Sequence, residues 1–193
     1  MTLSKRIGVL SVGNVLMGDD AIGPYILKIL ESRYEFSPNV VLDDLGTPGL
    51  GITSFFSDYD AIILIDAVRA AGCPGDLRLY RKDQLVQIRI QPRLSPHDPA
   101  LVEALLFAEL SGVCPKDVML VGIIPEACDL GCSMSPAMFD AVEPALAAIM
   151  VELYRFHIVP KLRSAPIAPS LWWHDRLPSQ VGRGHNRVPG DPR

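Results

Sequence analysis

Cysteine, net charge and long apolar runs are all in short supply in this 193-residue chain, and each shortage removes a class of function. Eighteen Lys and Arg stand against 22 Asp and Glu, a net charge of -4. Such a balance offers no basic footprint for nucleic acid. No apolar run approaches the ~18 residues of a bilayer span, so no membrane partner is expected. The start, Met1-Thr2-Leu3-Ser4-Lys5-Arg6, lacks a small-residue cleavage site and does not read as a secretion signal. The four cysteines, Cys73, Cys114, Cys128 and Cys132, are too few for a disulfide framework, which points to a reducing, cytoplasmic setting. Cys128 and Cys132 lack the second pair that structural zinc would need. Nucleotide loops of the G-x-G-x-x-G or G-K-[ST] kind are missing, and so is a G-x-S-x-G serine elbow. The missing elbow argues against a covalent intermediate.

What is present is a good core. Apolar residues make up 49% of the chain. Short apolar runs, Arg6 to Val12, Val40 to Leu42, Ala61 to Ile65 and Val118 to Ile124, predict buried strands. Asp76 to Tyr80 alternates and suits an edge strand with Leu77 and Leu79 facing in. Helical spacing is found at Ile22, Ile26, Ile29 and Leu30, in a helix expected from roughly Ile22 to Arg33, and at Met138, Val142, Leu146, Ile149 and Leu153. Ser135-Pro136 reads as a cap and an N1 proline at the start of the second of these helices, and Pro144 should kink it. A helix is also expected from Pro99 to Leu110, capped by Asp98, and a short one over Leu50 to Phe56. Strands alternating with helices predict a three-layer α/β sandwich, a twisted, mostly parallel five-stranded sheet with helices on both faces. The domain is placed at 1–159. Residues 160–193 hold six of the 17 prolines and no apolar periodicity, which predicts a loosely ordered tail. Leu171-Trp172-Trp173 is the exception, with apolar area that should dock somewhere.

In such sheets ligands bind beyond the carboxyl ends of strands, where the strand order reverses. The first strand runs into Gly13-Asn14-Val15-Leu16-Met17-Gly18-Asp19-Asp20, and the third ends on Asp66. Ser95-Pro96-His97-Asp98 precedes a helix. Two carboxylates and an imidazole, Asp20, Asp66 and His97, could form an open metal site suited to zinc, nickel, manganese or iron. A metal so held can polarise a carbonyl or only position a substrate.

Five segments in order resemble the nickel-iron hydrogenase maturation endopeptidases. They are Gly13 to Gly23, Asp44-Leu45-Gly46-Thr47-Pro48-Gly49, Ile65-Asp66-Ala67, Ser95-Pro96-His97 and Val121-Gly122-Ile123-Ile124-Pro125-Glu126. The resemblance implies a fold like the one above and removal of a C-terminal peptide from the hydrogenase large-subunit precursor after nickel insertion. It implies that Asp20, Asp66 and His97 contact the nickel, which the precursor presents, and carry the catalysis. Asp19 would support the loop. Asn14, Asp44, Gly46 and Thr47, in the family's loop motifs, would meet the substrate. A monomer is expected. Leu45 departs from the family's second loop, while the Cys128/Cys132 loop and the tail have no counterpart in the motifs. Two other readings stay open: a resident-metal hydrolase of another amide, and a non-catalytic assembly factor that binds the precursor.

Overall fold

The computed structural model describes residues 5–87 and 98–173. The strands are β1 (Ile7–Ser11), β2 (Tyr34–Glu35), β3 (Val40–Asp44), β4 (Ala61–Ala67), β5 (Leu77–Arg81), β6 (Asp117–Ile123) and β7 (Lys161–Leu162). The helices are α1 (Ile22–Arg33), α2 (Thr53–Phe56), α3 (Lys82–Gln87), α4 (Asp98–Leu110) and α5 (Pro136–Arg155), with tight turns at Gly18–Ala21 and Gly49–Ile52. The main sheet has the order β3-β1-β4-β6-β5. Its first four strands are parallel and β5 is antiparallel at the edge.

Alternation along the strands builds two cores. Ile7, Val9, Ile63, Ile65 and Val121 face α1 and α5, while Leu10, Ile62, Leu64, Val118 and Leu120 face α2 and α4. A side-chain period of two on strands covered on both faces produces this division. The three-layer sandwich read from the sequence is therefore the fold observed. The strand order reverses beside β1: β3 lies on one flank and β4 on the other, so the switch point falls between β1 and β4. At that point α1 enters against the sheet. A side-chain carbon on Gly23 would stand 2.4 Å from the Val12 carbonyl oxygen and 2.6 Å from that of Ile65. Only glycine lets the helix start so close to both strand ends.

Some local expectations are corrected. Leu79 is 50% exposed rather than facing in, because β5 is the outermost strand and only Leu77 packs against the α1/α5 core. Ser135 precedes α5 in an extended conformation but makes no side-chain cap to that helix; its hydroxyl is used elsewhere, as described below. The segment read from composition as a tail carries contacts up to Trp173. β7 pairs antiparallel with β2, Arg163 N–H donates to Arg33 O at 2.8 Å, Ile167 N–H donates to Ser32 O at 3.1 Å, and Trp173 is buried. These bonds go to backbone groups at the end of α1, which tail composition does not encode.

Candidate active site

Asp20 sits in the turn between β1 and α1, and Asp66 sits near the end of the neighbouring β4. Both are buried, with 5% and 7% of their surface exposed. Val12 N–H donates to Ile65 O at 2.9 Å, so the two strand ends are stitched together where these carboxylates emerge. The turn that carries Asp20 packs on β4. Asp20 Oδ2 accepts the Asn14 N–H at 2.7 Å, and Asn14 Oδ1 accepts the Leu16 N–H at 3.0 Å. Asn14 thus folds the loop back on the carboxylate that the loop presents.

Asp19 has a different surrounding. Its carboxylate accepts the N–H groups of Glu126 at 2.8 Å, Ala127 at 3.3 Å and Ser135 at 2.6 Å, and the Ser135 hydroxyl at 2.9 Å. It fastens the loop after β6 to the loop after β1. The role of support expected for Asp19 matches these contacts. Ser135 was read from the sequence only as a helix cap, and no local pattern pairs it with a residue 116 positions away.

The second loop is held by Asp44, whose Oδ1 accepts the Ser11 hydroxyl at 2.8 Å and the Gly46 N–H at 3.2 Å. Gly46 adopts a φ of 58°, the left-handed region that favours glycine. Its carbonyl accepts the Gly13 N–H at 2.8 Å, tying the second loop to the first. Thr47 is exposed on the same loop. Of the four residues expected to meet substrate, Asn14 is hydrogen-bonded to Asp20, and Asp44, Gly46 and Thr47 stand on the adjoining loop.

His97 lies outside the described residues. Among the described residues, no group of three His, Cys, Asp or Glu side chains is placed to hold a metal ion. Asp20 and Asp66 are two buried carboxylates, oxygen ligands that suit a first-row metal only when completed by a further donor. Cys128 was not read as part of this region, yet its thiol is pushed up to about 11, first by burial and then by the carboxylates of Asp20 and Asp19, with Arg69 opposing and Asp66 adding. The sequence signal for it is its position two residues beyond Glu126, on the loop that Asp19 fastens.

Beside Asp66 opens a cleft lined by Val12, Ile52, Leu64, Leu101 and Leu120, enclosing about 320 Å³ of space that is partly open to solvent. Among the described residues, Asp66 is the only charged one in its wall.

The family model described as hydrogenase maturation protease matches residues 24–152. The hydrogenase 2 maturation protease of Escherichia coli is 35% identical over 77% of this chain and 90% of its own length. The hydrogenase expression/formation protein HoxM of Azotobacter vinelandii is 31% identical over 96% of this chain and 94% of its own. Among solved structures, the hydrogenase maturating endopeptidase HybD from E. coli superposes with a TM-score of 0.76 at 32% identity, covering 82% of this chain and 98% of that one.

Proposed function

This chain belongs to the hydrogenase maturation protease family, and we propose that it removes the C-terminal peptide from a nickel-loaded nickel-iron hydrogenase large-subunit precursor. The observation that carries the reading is the pair of buried carboxylates, Asp20 and Asp66, at the switch point between β1 and β4. In this reading Asp20, Asp66 and His97 contact the nickel, which belongs to the precursor's own site and arrives with the substrate. His97 adjoins Asp98, the first residue of α4, whose Leu101 shares a cleft wall with Asp66; this supports the assignment of His97 to the same site. Asn14, Asp44, Gly46 and Thr47 hold the loops against which the peptide lies.

The nickel supplies recognition and charge beside the bond to be cut. The chain's own part is positioning and proton transfer. A carboxylate takes a proton from water as its oxygen bonds to the scissile carbonyl carbon. The C–N bond then breaks and the leaving nitrogen takes up the proton. A cleft partly open to solvent suits an extended peptide better than an enclosed small amide. The free cysteines support action in the cytoplasm, and among the described residues no helix is long and apolar enough to cross a membrane. The protein is proposed to act as a monomer.

Mass spectrometry of purified precursor, with and without nickel, tests this. The loaded precursor should lose its C-terminal peptide and the metal-free form should stay intact. Asp66→Asn and His97→Ala should cut at least a hundredfold more slowly, a difference of about 2.7 kcal/mol. A loaded precursor of unchanged length would favour an assembly factor, and cutting of the metal-free precursor would favour a hydrolase with its own metal.

A further inference from the structure

We propose that the apolar cleft beside Asp66 is the subsite for one aliphatic side chain of the precursor, next to the bond that is cut; this rests on the function proposed above. Three neighbouring strands supply its floor: Val12 follows β1, Leu64 lies on β4 and Leu120 on β6. Ile52 and Leu101 form its walls, from the turn before α2 and from the first half of α4. The same side chains belong to the core facing α2 and α4, so the cleft is the place where that core opens at the carboxyl edge of the sheet.

Two features select the occupant. The first is composition. Apart from Asp66 the named wall is aliphatic, so a polar side chain would enter without partners for its hydrogen bonds. A cationic side chain would compete with the metal for the Asp66 carboxylate. The second is size and place. The roughly 320 Å³ beside Asp66 counts open solvent as well as the space between the walls, so the cleft takes one side chain rather than a whole substrate. Because Asp66 belongs both to the proposed nickel contact and to the cleft wall, a residue seated here fixes the register of the peptide against that carboxylate. Substrate choice would then rest on two checks, the metal and one apolar anchor. Leu101 is the specificity-determining residue that can be changed at least cost, because it is only partly buried.

The test measures kcat/KM on nickel-loaded precursor for the parent protein, Leu101→Phe and Leu101→Ala. The residues flanking the cut bond are replaced one at a time by Ala, Leu, Phe and Asp. At one flanking position the parent should lose about tenfold with Ala and a hundredfold or more with Asp, the range expected for a filled apolar pocket. Leu101→Phe fills the cleft and should cut the native precursor at least tenfold more slowly while tolerating Ala at that position. Leu101→Ala should shift preference toward Phe. Circular dichroism and thermal melts establish that each variant folds, and Leu101→Met, a milder change of shape, should shift the preference severalfold if the Phe variant does not. Folded variants with the parent's selectivity would overturn the subsite alone. A parent protein that leaves loaded precursor uncut would overturn the function, and the subsite with it.

Discussion

Asp19 and Asp20 are neighbours in sequence and both are buried, but their oxygens serve different ends. Asp19 receives three backbone N–H groups and one hydroxyl, while Asp20 receives the Asn14 N–H and emerges beside the end of β4. A carboxylate enclosed by four donors is a fastening, since removing it leaves those part-buried donors without their partner. Each such loss costs about 1–3 kcal/mol, only partly additive. Asp19→Ala is therefore expected to lower stability by about 3 kcal/mol, seen as a reduced denaturant midpoint in urea unfolding. Activity should fall as well, because the loop that bears Asp20 loses its tie to the loop after β6. A variant as stable as the parent would mean that water replaces the carboxylate without penalty. The adjacency of two acids at a helix entrance was readable in the sequence, and the resemblance gave Asp19 the supporting role; the donors that hold it were not readable, because all four belong to residues more than a hundred places away.

Helix α5 and the edge strand β5 are joined by ions as well as by apolar contact. Glu152 is buried and accepts from Arg81 at 2.5 Å and from Arg155 at 2.8 Å, and Arg155 also reaches Asp117 at 2.8 Å on β6. Burial alone would raise the Glu152 carboxyl; the guanidiniums of Arg81 and then Arg155 more than offset it, holding the group below its ordinary value of 4.5. Asp117 is likewise lowered by Arg155 and Lys5 against the effect of burial. The sign follows from linkage. A carboxyl whose value is depressed in the folded state adds stability above its unfolded value, and that addition is lost as pH falls through the folded one. Glu152→Gln should thus cost about 2 kcal/mol at pH 7, less than a fully enclosed pair because both guanidiniums are partly in water. The gap between parent and variant should narrow below about pH 4.5. Urea titrations at a series of pH values measure it, and a gap independent of pH would show that packing rather than charge is lost.

Across the molecule, what the sequence disclosed follows the range of the forces involved. Buried parallel strands need apolar residues on both faces, so β1, β4 and β6 stand out as continuous runs, and α1 was read with the bounds observed, Ile22–Arg33. The loops bearing Asp20 and Asp66 were found because each follows a buried apolar run, and the role of the Asp44 loop came from its resemblance to the family's motif. The antiparallel direction of β5, the exposure of Leu79 and the cleft between α4 and the turn at Gly49–Ile52 depend on which surfaces meet in three dimensions, and no local period encodes them. The same holds after Pro160. Lys161 and Leu162 are both exposed side chains, and what holds them is the backbone pairing with Tyr34 and Glu35.

That pairing sets the last expectation. Among the described residues, neither apolar core includes a buried one beyond Ile158, so a chain ending at Pro160 is expected to retain both cores and the main sheet. It loses the β2–β7 pairing, the bonds from Arg163 and Ile167 to the end of α1, and the burial of Trp173, which is 2% exposed. Burying a large apolar side chain stabilises by about 2–3 kcal/mol, while the ordering of the strap opposes part of that gain. The truncated chain is expected to keep its far-ultraviolet circular dichroism and its cooperative transition, and to melt several degrees lower. Its tryptophan emission would vanish altogether, because Trp172 and Trp173 are the only two tryptophans in the chain. In the full chain the buried Trp173 should report unfolding as a red shift. Loss of the cooperative transition on truncation would place the strap inside the folding unit rather than on its surface. An unchanged melting temperature would mean that ordering the strap cancels all that Trp173 and the three sets of backbone bonds contribute.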